Sequence, residues 1–259
     1  MMDLNHGSGC VYGRENPGAE LAARLDAVLE AALTAERDAA SQRDYLGASR
    51  IGEPCLRRLC FEYGGTPVDS DAAFDGRILR VFEAGHRFED MTIRWLRLAG
   101  FDLRSHKRDG SQFGFVTADD CFRGHIDGVI VGGPDLGVPY PVLFEHKALA
   151  SASWQDTVKR GVKASKPIYW AQAQVYMAYL AIEHTLFVAL NRDTMRFYPE
   201  MIALDAADAQ ALSDRAVSVI RSVEARELLP RISDDPEHYV CRFCPYLRRC
   251  HYGKKGAAA

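Results

Sequence analysis

Apolar residues recur along this chain with two periods, and the places where the period changes divide it into elements. From about Glu20 to Tyr45, an Ala/Leu/Glu/Arg-rich stretch, Leu21, Leu25, Val28, Leu29 and Leu33 fall at helical spacing and predict an amphipathic helix. A second stripe, Phe82, His86, Glu89, Ile93 and Leu96, predicts a helix over 81–100 whose inward face carries two polar residues in its middle. Pro167 to Ile182 is apolar almost all round, with Pro in the first turn; Gln172 and Tyr176 share one face and need partners, which an open cleft would supply. Asp205 is a good N-cap for a helix running to about Leu229. Strand-like runs occupy 101–107, 112–117, 124–131, 142–147, 185–190 and 196–204. Residues 1–17 are Gly-rich and polar, which predicts irregular chain with Cys10 an incidental thiol.

The run from Gly124 to Lys147 organises the rest. Two strand-like arms flank Gly132, Gly133, Pro134, Gly137 and Pro139, which predicts a hairpin. Alternation puts Glu145 and Lys147 on one face, with Phe144, His146 and Ala148 on the other. An acid and a lysine inside an apolar strand are costly to bury unless they pair, bind a metal or meet a substrate. No other lysine of the chain has an acid two positions before it. Asp127, embedded in the other arm, adds a carboxylate, so the hairpin predicts a site of oxygen ligands for a hard cation with a lysine beside it. The plain alternative is a Glu145–Lys147 pair on an exposed strand edge. His86, one turn from Glu89, is either a satisfied core histidine or a further ligand.

Composition narrows the class. With 259 residues and 47% hydrophobic content, the chain can bury a full core. No apolar run reaches a membrane span and no secretory signal opens the sequence, so a cytoplasmic protein without membrane association is expected. The net charge of −3 gives no global basic surface, and nucleic-acid contact would rest on local patches. Lys159, Arg160, Lys163 and Lys166, just after the Glu145 strand, are either a solvated face or phosphate contacts.

Seven cysteines, an odd number, argue for ligation or burial over a disulfide framework. Cys241, Cys244 and Cys250 form C-x2-C-x5-C, a spacing that points to metal or cluster ligation, and Cys55, after a Gly-Glu-Pro turn, is the best fourth ligand. Zinc and a [4Fe-4S] cluster both suit four thiolates. Either closes a very long loop. Cys60, between Leu59 and Phe61, reads as core.

Together His86, Asp127, Glu145-x-Lys147, Gln172-x-x-x-Tyr176, one cysteine before and three after resemble the RecB-like branch of the PD-(D/E)XK nuclease superfamily. The likeness is to its iron-sulfur-containing CRISPR-associated and phage exonucleases and to the AddB nuclease domain, and it covers roughly residues 49–250. The resemblance implies an α/β, restriction-endonuclease-like core with a mixed central sheet flanked by helices, the Glu-x-Lys strand in its middle. The expected organisation is a nuclease domain at 49–253, an N-terminal extension at 1–48 whose amphipathic helix has no counterpart in the family, and a disordered tail at 254–259. A [4Fe-4S] cluster on Cys55, Cys241, Cys244 and Cys250 follows, as does Mg²⁺ or Mn²⁺ on His86, Asp127, Glu145 and the His146 carbonyl. Asp127, Glu145, Lys147, Gln172 and Tyr176 would be catalytic in cutting DNA, single-stranded or at ends. A protein partner in DNA processing or CRISPR adaptation and self-association are compatible with it. The alternative is a catalytically silent DNA-binding or assembly module stapled by its cysteines. Ile126-Asp127 stands where the superfamily has Pro-Asp.

Overall fold

A computed structural model describes residues 17–40, 43–72, 76–117 and 120–253. The expectations for irregular chain up to residue 16, for Cys10 and for a tail at 254–259 lie outside the described residues. The chain divides into two compact units, residues 17–40 with 76–82, and residues 43–72 with 83–253. The second unit begins ahead of the expected residue 49 because Leu46 and Ala48 are core residues.

In the first unit, helix α1 (Pro17–Ala39) is shorter than the expected 20–45 at its C-terminal end. It meets the start of α3 (Gly76–Leu98) through its polar side. A side-chain carbon at Gly76 would lie 2.5 Å from the Glu30 Cα, and Arg80 pairs with Asp26 at 3.0 Å. Leu21, Leu25 and Val28 are exposed.

The second unit is built on two sheets. Strands β1 (Leu46–Gly47), β3 (Gly114–Val116) and β4 (Phe122–His125) form a three-stranded sheet in the order β1-β4-β3, with β1 parallel to β4. Strands β2 (Leu103–Arg104), β5 (Gly128–Ile130), β6 (Val142–Leu149), β7 (His184–Asn191) and β8 (Phe197–Ala203) form the larger sheet in that order. Only β6 and β7 run parallel in it, so the sheet is mixed, and β6 is its middle strand.

The predicted hairpin is present as β5–β6, but its first arm is broken. The chain leaves one sheet at His125 and enters the other at Gly128, and Asp127 sits at the crossing instead of inside a strand. Where the ladder would continue past the Gly128–Phe144 pair, the Asp127 carboxylate accepts the His146 backbone N–H at 2.7 Å, doing the work of a strand carbonyl.

Both faces of the large sheet are covered, so Val142 to His146 are all buried. One core joins Leu143, Phe187 and Ile202 to helices α2 (Leu56–Tyr63), α5 (Pro167–Leu180) and α6 (Ala206–Glu224). The other joins Phe144, Val188 and Ile130 to Ile93 of α3. Fully buried Phe144 and Phe187 each contribute about 1.5–3 kcal/mol by leaving water. Asp205 caps α6 as expected, accepting the N–H groups of Ala207 and Asp208, and the helix ends at Glu224, before the expected Leu229. Helix α4 (Ser151–Ser165) kinks at Gly161, whose φ of 74° frees the Val162 N–H to bond Glu200 on β8 at 2.9 Å.

Candidate active site and cysteine pocket

The site grows from β6. Alternation sends Glu145 and Lys147 toward α5 and His146 toward α3, as the sequence pattern predicts. Glu145 is fully buried, and its Oε1 accepts the Lys147 ammonium and the Gln172 amide, the latter at 2.8 Å. The other oxygen, Oε2, is buried and has no hydrogen-bond partner. Lys147 also donates to the His146 carbonyl at 3.0 Å, lies 3.9 Å from Asp127 Oδ2, and sits 5.3 Å from the centre of the Tyr169 ring. Asp127, Glu145 and Lys147 therefore meet in one place.

Electrostatics bring in a fourth member. Burial, then the charge of Asp127, pushes the Glu89 carboxyl up to about 7, with Lys147 opposing. Burial, then Asp127, likewise pushes Glu145 up to about 8, and Glu89 adds to it. Burial works against the charge of Lys147, but Glu145 and Asp127 outweigh it and raise its pKa. Three carboxyls thus share one ammonium, and the cluster favours another positive charge, either a proton or a bound cation. Among the described residues no three His, Cys, Asp or Glu side chains close on a single ion. The Lys147 ammonium occupies the ground between Glu145 and Asp127.

Two expectations are corrected. His86 does not face inward: its side chain is 80% exposed, with Nδ1 4.0 Å from Glu89 Oε2. The inward stripe of α3 runs through buried Thr92 and Ile93 and half-buried Glu89 and Leu96, and Phe82 is exposed as well. Gln172 and Tyr176 do not line an open cleft. Both are buried, Gln172 on Glu145 and Tyr176 against Gly124, where a side-chain carbon would lie 2.4 Å from its ring. Burial, then the charge of Glu145, raises the Tyr176 phenol, and Gln172 is its hydrogen-bond partner.

The His146 side chain is buried and bonds Thr92 Oγ1 at 3.1 Å; burial and Lys147 hold its pKa down at about 3, so the ring stays neutral. Thr92 and Tyr169 carry no sequence signal. Thr92 and His86 each stand three positions from Glu89, and only the packed helix shows which of them faces in. The basic run after β6 is largely paired: Arg160 with Asp156 at 2.7 Å, Lys163 with Asp208 at 2.8 Å and Lys166 with Asp156 at 3.6 Å.

No family model matches the chain, and no curated protein matches it significantly. Among solved structures it is similar to an alkaline exonuclease, LHK-Exo from Laribacter hongkongensis, with a TM-score of 0.51 and 18% identity over 77% of this chain and 93% of that one. The same enzyme in complex with dAMP gives a TM-score of 0.50 and 19% identity over 71% and 89%. A third structure, SSO0001, gives a TM-score of 0.45 and 14% identity over 86% and 94%. The fold is restriction-endonuclease-like.

On that fold the cysteines form a second locus. Cys55 is the N-cap of α2, and Cys55, Cys241, Cys244 and Cys250 line one pocket together with Arg58, Phe61, Arg231 and Leu247. The C-terminal segment is fastened there by the Arg248 N–H on Asp69 at 2.7 Å, the Asp69 N–H on the Pro245 carbonyl at 2.8 Å, and the Tyr246 ring 5.1 Å from that of Phe61. Burial, then Cys55 and Cys250, pushes the Cys241 thiol up. Burial raises Cys244 as well. Cys60 lies in the core, with its thiol 3.9 Å from Ser222 Oγ. No helix among the described residues is long and apolar enough to cross a membrane.

Proposed function

We propose that this chain is a metal-dependent deoxyribonuclease of the PD-(D/E)XK type that acts as an exonuclease on single strands or ends of DNA. The observation that carries the reading is Glu145: a fully buried carboxylate on the central strand, one oxygen fixed by Lys147 and Gln172, the other without a partner. Three carboxyls around one ammonium have the charge balance of a cation site, and the fold is one that an exonuclease also has.

Asp127, Glu145 and the His146 carbonyl would hold Mg²⁺ or Mn²⁺, with Glu89 as an additional carboxylate and His86 at the exposed edge. A divalent cation there supplies a water of lowered pKa and offsets charge on the phosphate. Lys147 would orient the attacking water and stabilise the pentavalent phosphorane-like state. Gln172 is a positioning residue that fixes Oε1 of Glu145 and so leaves Oε2 for the cation. Tyr176 supports Gln172 from behind.

The four-cysteine pocket fits a [4Fe-4S] cluster, since its donors are four thiols within electrostatic reach of one another around one space. Iron analysis and a visible thiolate-to-iron absorption band in anaerobically purified protein test this against colourless zinc.

The closed Lys147–Glu145 pair favours one second reading, a silent DNA-binding module. End-labelled single- and double-stranded DNA, with and without Mn²⁺ and with Glu145→Ala alongside, separates the two. Metal-dependent nucleotide release by the wild type alone is expected. Release by neither protein would leave the silent module.

A further inference from the structure

The loop that delivers Cys55 also touches the back of the helix that holds Glu145. Arg50 pairs with the buried Glu53 carboxylate at 2.9 Å and Arg58 with the same carboxylate at 3.2 Å, while Arg215 of α6 donates to the Glu53 carbonyl. Inside this bracket Ile51 is fully buried and Gly52 lies flat on α5. A side-chain carbon at Gly52 would stand 2.7 Å from the Ile168 Cα and 2.8 Å from the Ala171 Cβ. The next residue along α5 is Gln172, whose amide holds Glu145. Three residues beyond Gly52 in the other direction is Cys55. The approach is backbone to backbone, so a shift of the loop cannot be absorbed by a side-chain rotation.

We propose that Gly52 is a positioning residue, seating the Cys55 loop on α5 so that Gln172 is held on Glu145, and that this contact couples the four-cysteine pocket to the carboxylate site. The kinetic consequence rests on the nuclease reading, whereas the packing itself does not. A ligand in the pocket that fixes Cys55 would fix Gly52, and with it the register of Ala171 and Gln172 against β6. Loss of that ligand would loosen the Gln172–Glu145 bond without touching either residue.

A double-mutant cycle on the full chain tests this. Thermal unfolding is measured for Gly52→Ala, Gln172→Ala and the double variant. The double variant is expected to melt no lower than the worse single. Gln174→Ala is the control: Gln174 is buried on the same helix but bonds the Ala203 carbonyl, and its loss should add to that of Gly52→Ala. Additive losses for Gly52 and Gln172 would overturn the proposal. If Gly52→Ala does not fold, Arg215→Gln, which withdraws the clamp on the Glu53 carbonyl, takes its place in the cycle.

In cleavage assays, Gly52→Ala and Cys55→Ser should each lower kcat about tenfold with KM for DNA nearly unchanged, and both losses should vanish in a Gln172→Ala background. Undiminished losses in that background would also overturn it. A wild-type protein that does not cleave DNA sinks the nuclease reading and leaves the unfolding cycle to decide the coupling.

Discussion

Glu145 and Cys241 are both buried, yet their neighbours treat charge in opposite ways. Around Glu145 the protein supplies its own answers: Lys147 and Gln172 on one oxygen, with Asp127 tied to the same strand through the His146 N–H. Around Cys241 the neighbours that matter are other thiols, and they push its proton on more firmly. The carboxylate cluster is organised by the chain itself. The cysteine pocket brings together thiols that would repel one another once ionised, so a ligand that takes them as thiolates would stabilise the folded pocket. Chemistry should therefore be lost first at one site and folding at the other.

The largest effect should come from Lys147→Ala. Cleavage should drop by at least about a thousandfold, in the range of a lost acid–base and charge-stabilising group. Melting temperature and DNA affinity should change little, because Glu145 can hold a proton in place of its partner. The measurement is single-turnover cleavage beside a binding isotherm. Unfolding of the variant would show that the carboxylate site is no more self-supporting than the cysteine pocket.

Cys241→Ser should act first on folding, with a much smaller loss of cleavage than Lys147→Ala. A ligand held by Cys55 and Cys241 would close a loop from residue 55 to residue 241, and losing it should lower the melting temperature on the order of 10 °C. Iron content should fall in step. A variant that keeps the wild-type melting point would make the cysteines a passive feature of the C-terminal segment.

The carboxyls give a third contrast, in pH. Glu89 and Glu145 take up their protons near 7 and 8 in the folded chain but near 4.5 in the unfolded one. From pH 4.5 upward the native state thus binds more protons, and its stability falls as pH rises. His146 acts the other way between about 3 and 6.5, where the unfolded ring is protonated and the buried one is not. The two effects partly cancel below pH 6.5. Between 6.5 and 7 only the carboxyls act, and the metal-free protein should lose stability at about 1.4 kcal/mol per pH unit for each extra proton held. Added Mn²⁺ should flatten that slope in denaturant titrations. A slope that metal leaves unchanged would separate the carboxyls from any cation.

How much of this was legible in the sequence depended on what fixed each residue. Glu145, Lys147 and Cys55 sit where local rules place them, on alternate positions of a strand and at the N-cap of a helix, and could be read directly. The middle position of β6 in a mixed sheet was also foreseen, through the resemblance. Asp127 was found, but its setting was not: a carboxylate that replaces a strand carbonyl looks in sequence like one more strand residue. Gln172 and Tyr176 were known to need partners. That the partner is Glu145, not a cleft, depends on the close approach of α5 to β6 and β4, which no local pattern encodes.

The smallest effect concerns α3, where the phase of the helix decides between two neighbours. A stripe through Phe82, His86, Glu89, Ile93 and Leu96 satisfies helical spacing, and so does one through Gly85, Glu89, Thr92, Ile93 and Leu96. Glu89 belongs to both, His86 only to the first. Packing against His146 through Thr92 selects the second and turns His86 outward. Glu89 then lies within electrostatic reach of Asp127 and Lys147, whereas His86 meets the site only through the edge of Glu89. Glu89→Gln should accordingly lower kcat by about ten- to a hundredfold and raise the Mn²⁺ concentration at half-maximal rate, as expected for a carboxylate that contributes charge to the ion without being its main ligand. His86→Ala should stay within about threefold in both, because an exposed imidazole at the rim adds little binding energy in water. Metal titrations of the two variants decide the matter. A larger loss from His86→Ala would mean that α3 turns on binding the ion, returning His86 to the ligand set that the sequence pattern first suggested.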